Sequence, residues 1–448
     1  MAPTVITQLN VKDIRFPTSL DGSGSDASHR PDYSCAYVEL KTDTELTGYG
    51  LTFTSGRGNE IVSYAAKVFR RFVVGQKLAD IFGDFASFYR KCANDDQMRW
   101  IGPEKGVIHL ALSAVFNALW DIKAKMAGKP LWKLLVDMTP EEIVSVVDFR
   151  YITDLLTKEE ALEMLRKMQD GKKEREAEIV ANGYPAYTMS CGWLGYDDDQ
   201  LKKAFKSGLA QGFTRFKMKV GGNIEDDQRR CKIIRDIIGY DKLLMMDANQ
   251  KWDVQDAVDW MKQLTSFKPF WIEEPTNPDD ILGHKKIAKE LNPLGINVAT
   301  GEQCQNRIMF KQFLEFGALQ ICQIDCCRLG SINELIPVIL MAAKMKVPVC
   351  PHGGGVGLSE YARHTCIFDY VCVSGDLENR IMEYADHLSP HFENPNVVRN
   401  GNCVAPVTPG YSPILTKTAV ENFEYPEGKT WEKYFADGTF PPVTTERW

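Results

Sequence analysis

FKMKV (216–220), LLMMDAN (243–249), FWIEEP (270–275), NVATGEQ (297–303), ICQIDCC (321–327) and VPVCPH (347–352) are six short apolar runs, each closing on charged or titratable residues. Successive ends, from Lys219 through Asp247, Glu273, Glu302 and Asp325 to His352, are separated by 28, 26, 29, 23 and 27 residues. A strand, a helix and two loops consume about that length, so each interval is read as one βα unit. Continuous apolar runs are what parallel strands buried on both faces look like. Repeated βα units close most readily into a (β/α)₈ barrel, which gathers its chemistry at the C-terminal ends of its strands. Every charged group in the series sits at such an end.

Working outward, YPAYTMSCGW (184–193) reads as the first barrel strand, and DQLKKAFKSGLAQGF leads from it to the strand of Lys217 and Lys219. VQDAVDWMKQL, DDILGHKKIAKEL, NRIMFKQFLEFG, SINELIPVILMAAKM and LSEYARHTCIFDY are the later barrel helices. YVCVSGDLENRIMEY (370–384) is read as the eighth strand and its exit, with Glu383 just after it. IVSVVDFRYI (143–152) is read as a further strand-like run, followed by a charged helical segment.

Residues 1–140 form a different pattern. VITQLNVKDIRF, YSCAYVELKTD and GYGLTFTSGRG alternate apolar and polar residues, as half-buried antiparallel strands do. From Glu60 the period becomes helical and ends in VIHLALSAVFNALWDIKAKMAG, whose glycine suits a C-cap. Strands followed by helices make an α+β unit. SLDGSGSDASHRPDY (19–33) is long for a hairpin connection and suits a lid. The expected architecture is α/β: a TIM-type (β/α) barrel over 141–385, an N-terminal α+β capping domain over 1–140, and a Pro-, Asn- and Gly-rich tail over 386–448 that packs on the cap.

Composition narrows the function classes. The chain has 448 residues, 44% hydrophobic and 25% charged, as an ordinary globular protein does. With a net charge of −7 and no basic stripe, a nucleic-acid partner is not expected. No apolar run is read as reaching the ~20 residues that a membrane span needs. Twelve cysteines occur without a C-x-x-C pair, and several lie in apolar runs, which suits a reducing compartment. MAPTVITQLNVKD has no secretory signature, so cytoplasm is the expectation, with a mitochondrial address left open.

Asp247, Glu273 and Glu302 are three carboxylates on three successive strands. Each could instead make its own local salt bridge. Three at one level repel one another unless a cation lies among them, and hard oxygen donors with open positions suit Mg²⁺. Lys217 and Lys219 share one side of their strand. Burial beneath the helices would be costly, so the barrel mouth is preferred over an edge-strand surface position. A second cation and a metal would lower the Lys219 pKa and leave an amine able to take a proton from carbon. Asp325 can orient His352 and raise its basicity, giving a second acid/base. The glycines of GGGVG, after His352, are read as room for a substrate. Together these groups suit proton abstraction next to a carboxylate, with Mg²⁺ stabilising the charge that develops.

At this point the residues resemble a known family. K-x-K of FKMKV, MMDAN, WIEEP, ATGEQ and the Asp325–His352 pair are similar to the enolase superfamily, mandelate racemase subgroup. RFPTSLDGSGSDA, DYSCAY, RWIGPEKGVIHLA, DFRYITD, KKERE, WLGY, DANQ-W, EEPT-PDDILGH and EYADH resemble, within it, the dehydratases of L-fuconate and L-galactonate. The resemblance implies Mg²⁺ on Asp247, Glu273 and Glu302, and Lys219 with His352 as the acid/base pair, Asp325 orienting the latter. It implies substrate contacts from Gly24, Ser25, Asp26, Tyr33, Lys217 and Glu383. The implied reaction is loss of water from C2–C3 of a six-carbon sugar acid to give a 2-keto-3-deoxy acid, with L-fuconate first and L-galactonate alongside. A homo-oligomer is expected. Two other readings stay open: a racemase or epimerase using the same groups, and a non-catalytic binding protein on the same scaffold.

Overall fold

A computed structural model describes residues 4–21, 32–411 and 413–441. The runs that alternate in the first fifty residues form an antiparallel sheet in the order β1 (Ile6–Arg15), β2 (Ser34–Thr42), β3 (Thr47–Thr54). The long helix Gly106–Met126 lies across β3. The approach is close: a Cβ at Gly50 would collide with the backbone of Ala114 and Ala118, so only glycine lets strand and helix meet there. That helix is long and apolar enough to cross a membrane, contrary to the reading of the sequence, but its most apolar window is 83% buried inside the protein. It is a core helix.

The barrel follows as β4 (Tyr184–Gly192), β5 (Arg215–Lys219), β6 (Leu243–Asp247), β7 (Trp271–Glu273), β8 (Asn297–Thr300) and β9 (Ile321–Cys322), each paired in parallel with the next. The seventh staff is a single parallel bridge from Cys322 to Val349. The eighth, β10 (Met382–Tyr384), pairs in parallel with β4 and closes the ring. Tyr187, Met245, Trp271, Ala299 and Ile321, on five of the strands, with Cys350 and Ile381 beside the seventh and eighth, form a separate apolar cluster, the packed barrel interior.

Two stretches differ from their reading. IVSVVDFRYI is no strand: the helix Pro140–Ser145 begins before it and turns follow. Thr139 caps the helix and Glu142 returns the bond, with Pro140 in the first turn. Those local signals outweigh a β-branched run. In YVCVSGDLENRIMEY the first five residues continue the helix Leu358–Asp369 as a π-helical turn. The strand comes only at Met382–Tyr384, so Glu383 lies inside it.

Beyond the barrel, Val398–Arg399 and Asn402–Cys403 form a hairpin that pairs antiparallel with the start of β4. The chain then returns to the cap. Tyr425 N donates to Asp13 O at 2.7 Å, and Trp431 Nε1 donates to Arg15 O at 3.0 Å. All twelve cysteines are buried thiols without a disulfide.

Candidate active site

The parallel register sets the site. Lys219 stands opposite Asp247, and Asp247 opposite Glu273, so three charged residues form one row across β5, β6 and β7. Glu302 lies two residues beyond β8 and reaches back to the row. One carboxylate oxygen from each of Asp247, Glu273 and Glu302 lies within 4.8 Å of the other two. Asp247 and Glu273 are fully buried.

The two lysines face this cluster from the barrel interior, as the sequence suggested. Lys219 Nζ is 2.5 Å from Asp247 Oδ2. Lys217 Nζ lies 2.8 Å from Glu273 Oε1, 2.5 Å from Glu383 Oε1 and 3.5 Å from Asp247 Oδ2. Beneath it sits the Tyr187 ring, 5.4 Å away. Across the cluster, His352 Nε2 is 3.6 Å from Glu302 Oε2. Its other nitrogen, Nδ1, is 2.8 Å from Asp325 Oδ2, while Asp325 Oδ1 accepts from the backbone N–H of Cys327 and Arg328 at 2.7 Å each. The cap supports that loop: Ser113 Oγ and Asn117 Nδ2 both donate to Cys326 O.

Burial and mutual charge decide the protonation states. For Glu273, burial and the nearby Asp247 charge push the carboxyl up to about 8, against the pull of Lys217. Burial acts the same way on Asp247, but Lys219 and Lys217 outweigh it and hold that carboxyl at about 2. Glu383 follows suit at about 2, held down against burial by Lys217 and His352. Burial would lower His352, yet Glu302, the Asp325 hydrogen bond and Glu383 raise it to about 10. For Lys219, burial favours the neutral amine, and Asp247, Glu273 and Glu302 reverse this, so its pKa is raised. The lowered value read from the sequence is not what the protein groups alone produce. One neighbouring lysine counts for less than the carboxylates around it.

Tyr33 is buried at the cap–barrel seam, 5.2 Å from the Phe53 ring and 5.3 Å from the His387 ring. Gly24, Ser25 and Asp26 lie outside the described residues. The glycines after His352 serve the protein's own packing. A Cβ at Gly353 would strike Glu383 O, and one at Gly354 would lie 2.8 Å from Met189 Sδ and 3.3 Å from His352 Nε2.

Sequence reasoning missed Gln323, whose Nε2 donates to Glu273 Oε2 at 2.8 Å, and Trp271, whose Nε1 donates to the same oxygen at 3.3 Å. Both leave Glu273 Oε1 to Lys217. Gln323 stands one residue after β9, and that rim position was the available signal. Glu274, adjacent to Glu273, is fully buried and held by Gln250 Nε2 at 3.0 Å, with burial and Glu302 keeping its pKa well above the usual range.

The description "Mandelate racemase / muconate lactonizing enzyme, N-terminal domain" matches residues 27–136, and "Enolase C-terminal domain-like" matches residues 200–416. The chain is 58% identical to human mitochondrial enolase superfamily member 1 over 96% of this chain and 97% of the relative. The crystal structure of that human protein superposes with a TM-score of 0.95, covering 96% of this chain and 98% of the other at 57% identity. The L-galactonate dehydratase of Hypocrea jecorina is 51% identical over the whole of both chains. A Streptomyces coelicolor racemase solved with bound magnesium superposes with a TM-score of 0.70 at 25% identity, over 92% of this chain and 97% of that one.

Proposed function

Because the chain belongs to the enolase superfamily, in its mandelate racemase and muconate lactonizing enzyme branch, we propose that it is a sugar-acid dehydratase whose substrate is L-fuconate. The observation that carries this reading is the pair of protonable groups flanking one carboxylate cluster, Lys219 on Asp247 and His352 on Glu302.

Asp247, Glu273 and Glu302 are the residues that would hold Mg²⁺. Their donor chemistry fits: three hard carboxylate oxygens converge, and buried like charges of this kind call for a cation. When bound, Mg²⁺ offsets the second negative charge that the substrate carboxylate acquires as its neighbouring carbon is deprotonated.

The remaining chemistry belongs to the side chains. Asp247, Glu273 and Glu302 are the groups that raise the Lys219 pKa, so engaging them with a cation would leave an amine able to serve as base. It takes the C2 proton, and the C–H electron pair stays with the substrate as an enolate. His352, kept cationic by Glu302, Asp325 and Glu383, gives a proton to the 3-hydroxyl. The C3–O bond breaks, water leaves, and the enol that remains becomes a 2-keto-3-deoxy acid. Asp325 keeps the imidazole turned toward the substrate. Lys217 supplies fixed positive charge for the substrate carboxylate, beside Glu383.

A second reading, L-galactonate dehydratase, is favoured by the full-length match to the Hypocrea jecorina enzyme. The two acids differ by one hydroxyl at C6, which a pocket built for the methyl rejects weakly. Incubation with Mg²⁺ and a panel of sugar acids tests both. Formation of 2-keto-3-deoxy acid from L-fuconate is the expected result. Deuterium entering C2 without keto acid would make the protein a racemase or epimerase, and neither signal from any acid would remove the catalytic reading.

A further inference from the structure

The ladder between β4 and β5 is broken near the barrel rim. Thr188 is opposite Phe216 and Gly192 opposite Met218, so four residues of β4 span what two residues of β5 span. Carbonyls at this end cannot all find ladder partners, and buried carbonyls need donors. One side chain provides them. Arg230, in the helix Ile224–Ile238 that follows β5, is 1% exposed. Its Nη1 donates to Lys219 O at 2.7 Å, and its Nη2 donates to Gly192 O at 2.9 Å and Trp193 O at 3.2 Å.

One turn earlier on the same helix face, Asp227 Oδ2 accepts from Gly221 N at 2.8 Å and from Trp260 Nε1 at 3.0 Å. From the other side, Val220 N donates to Asp247 O at 2.9 Å. The three residues from Lys219 to Gly221 are therefore fixed one after another. A lysine amine ends four methylenes, so the direction of its main chain decides where the amine sits. Arg230 is the group that ties that main chain to β4 at and past Gly192–Met218, the last pair the two strands share.

We propose that Arg230 is a positioning residue for Lys219: its guanidinium holds β5 to β4 past their last ladder pair and thereby sets the reach of the amine toward the substrate. It touches no substrate atom. This rests on the reading of Lys219 as the base. A planar fork can bridge carbonyls on two strands, which an ammonium cannot do in the same geometry.

The test compares Arg230→Met, Arg230→Lys and, as control, Arg229→Gln in the Mg²⁺-loaded full chain with L-fuconate. Arg229 is half-exposed and paired with Asp226 and Asp198, so its variant keeps full activity. Arg230→Met is expected to lose roughly 100-fold in kcat, as misplacement by about 1 Å does, with KM nearly unchanged. Arg230→Lys recovers part of that loss. In parallel, acylation of Lys219 by acetic anhydride, followed by mass spectrometry, is expected to run faster in Arg230→Met than in the wild type. A folded Arg230→Met with wild-type kcat, or a loss confined to KM, overturns the proposal. Should the wild type turn over no sugar acid, the functional reading fails. The acylation arm then decides alone: an unchanged Lys219 rate, in Arg230→Lys if the methionine variant does not fold, refutes the clasp.

Discussion

Asp247 and Lys219 face each other across adjacent parallel strands and meet at 2.5 Å, so the carboxylate that anchors the cluster also holds the amine. Cation and ammonium therefore compete for one carboxylate. Glu273 adds a second link, because its carboxyl is raised to about 8 by burial and Asp247. A divalent cation must displace that proton. Mg²⁺ binding is expected to release protons and to tighten as pH rises toward about 8, levelling off above it. Calorimetry in buffers of different ionisation enthalpy measures both. An affinity flat across that window speaks against carboxylate ligation at this cluster.

Replacing Lys219 with Gln separates the base from the metal. Removal of a general base costs about 10²–10⁴ in rate. Both keto-acid formation and deuterium exchange at C2 are expected to fall together by that factor. Mg²⁺ affinity is expected to hold or rise, since Asp247 is freed of its ammonium partner. Exchange at C2 persisting at the wild-type rate would move the base role to another group.

The row of charged strand ends was legible because parallel strands have a fixed period and one chemical end. Asp247, Glu273 and Glu302 arrive in step and do converge. The α+β cap was legible from alternation, and its core helix from a 3.6-residue pattern. Two things hid the rest. Local capping at Thr139 overrode a β-branched run, and the eighth staff is only three residues long, too short for a pattern to declare itself. Arg230 stayed hidden beside Arg229 in a charged helix. Helical phase separates them: Asp227, Arg230, Cys231, Ile234 and Ile238 share the buried face, whereas Arg229 is exposed. What Arg230 binds depends on a broken ladder, and no periodicity announces one.

The cap is locked to the barrel by a buried ionic knot around Glu334. Its Oε2 is 2.6 Å from His109 Nε2, and its Oε1 is 3.0 Å from Arg307 Nη1, which also reaches Glu104 at 2.5 Å. Burial would raise the Glu334 carboxyl, but His109 and Arg307 depress it from 4.5 to about 2. A depressed carboxyl contributes stability above its unfolded pKa and loses it as pH falls through the folded one. On the order of 3 kcal/mol is therefore expected to vanish between about pH 4.5 and 2. Glu334→Gln breaks the knot at neutral pH as well, at a cost of about 3–5 kcal/mol. Urea melts in a pH series from 7 down to about 2 measure both, and a variant as stable as wild type at pH 7 would show the knot to be energetically silent.

Asp325 tests the acid on the other side. Its Oδ2 meets His352 Nδ1 at 2.8 Å, leaving Nε2 toward Glu302. His352 is raised to about 10 by Glu302, the Asp325 bond and Glu383 against the effect of burial. Asp325→Asn keeps the shape and removes one of those charges, so the imidazolium is less stabilised and gives up its proton at lower pH. The alkaline limb of kcat is expected to shift downward. At neutral pH the orientation lost with the carboxylate lowers kcat by about 10–100-fold. KM changes little, because Asp325 is not expected to touch substrate. If His352 is instead the base, the same substitution moves the acidic limb downward and leaves the alkaline limb in place, so the limb that moves distinguishes the two assignments. An unmoved profile with full activity would leave Asp325 with no part in the chemistry.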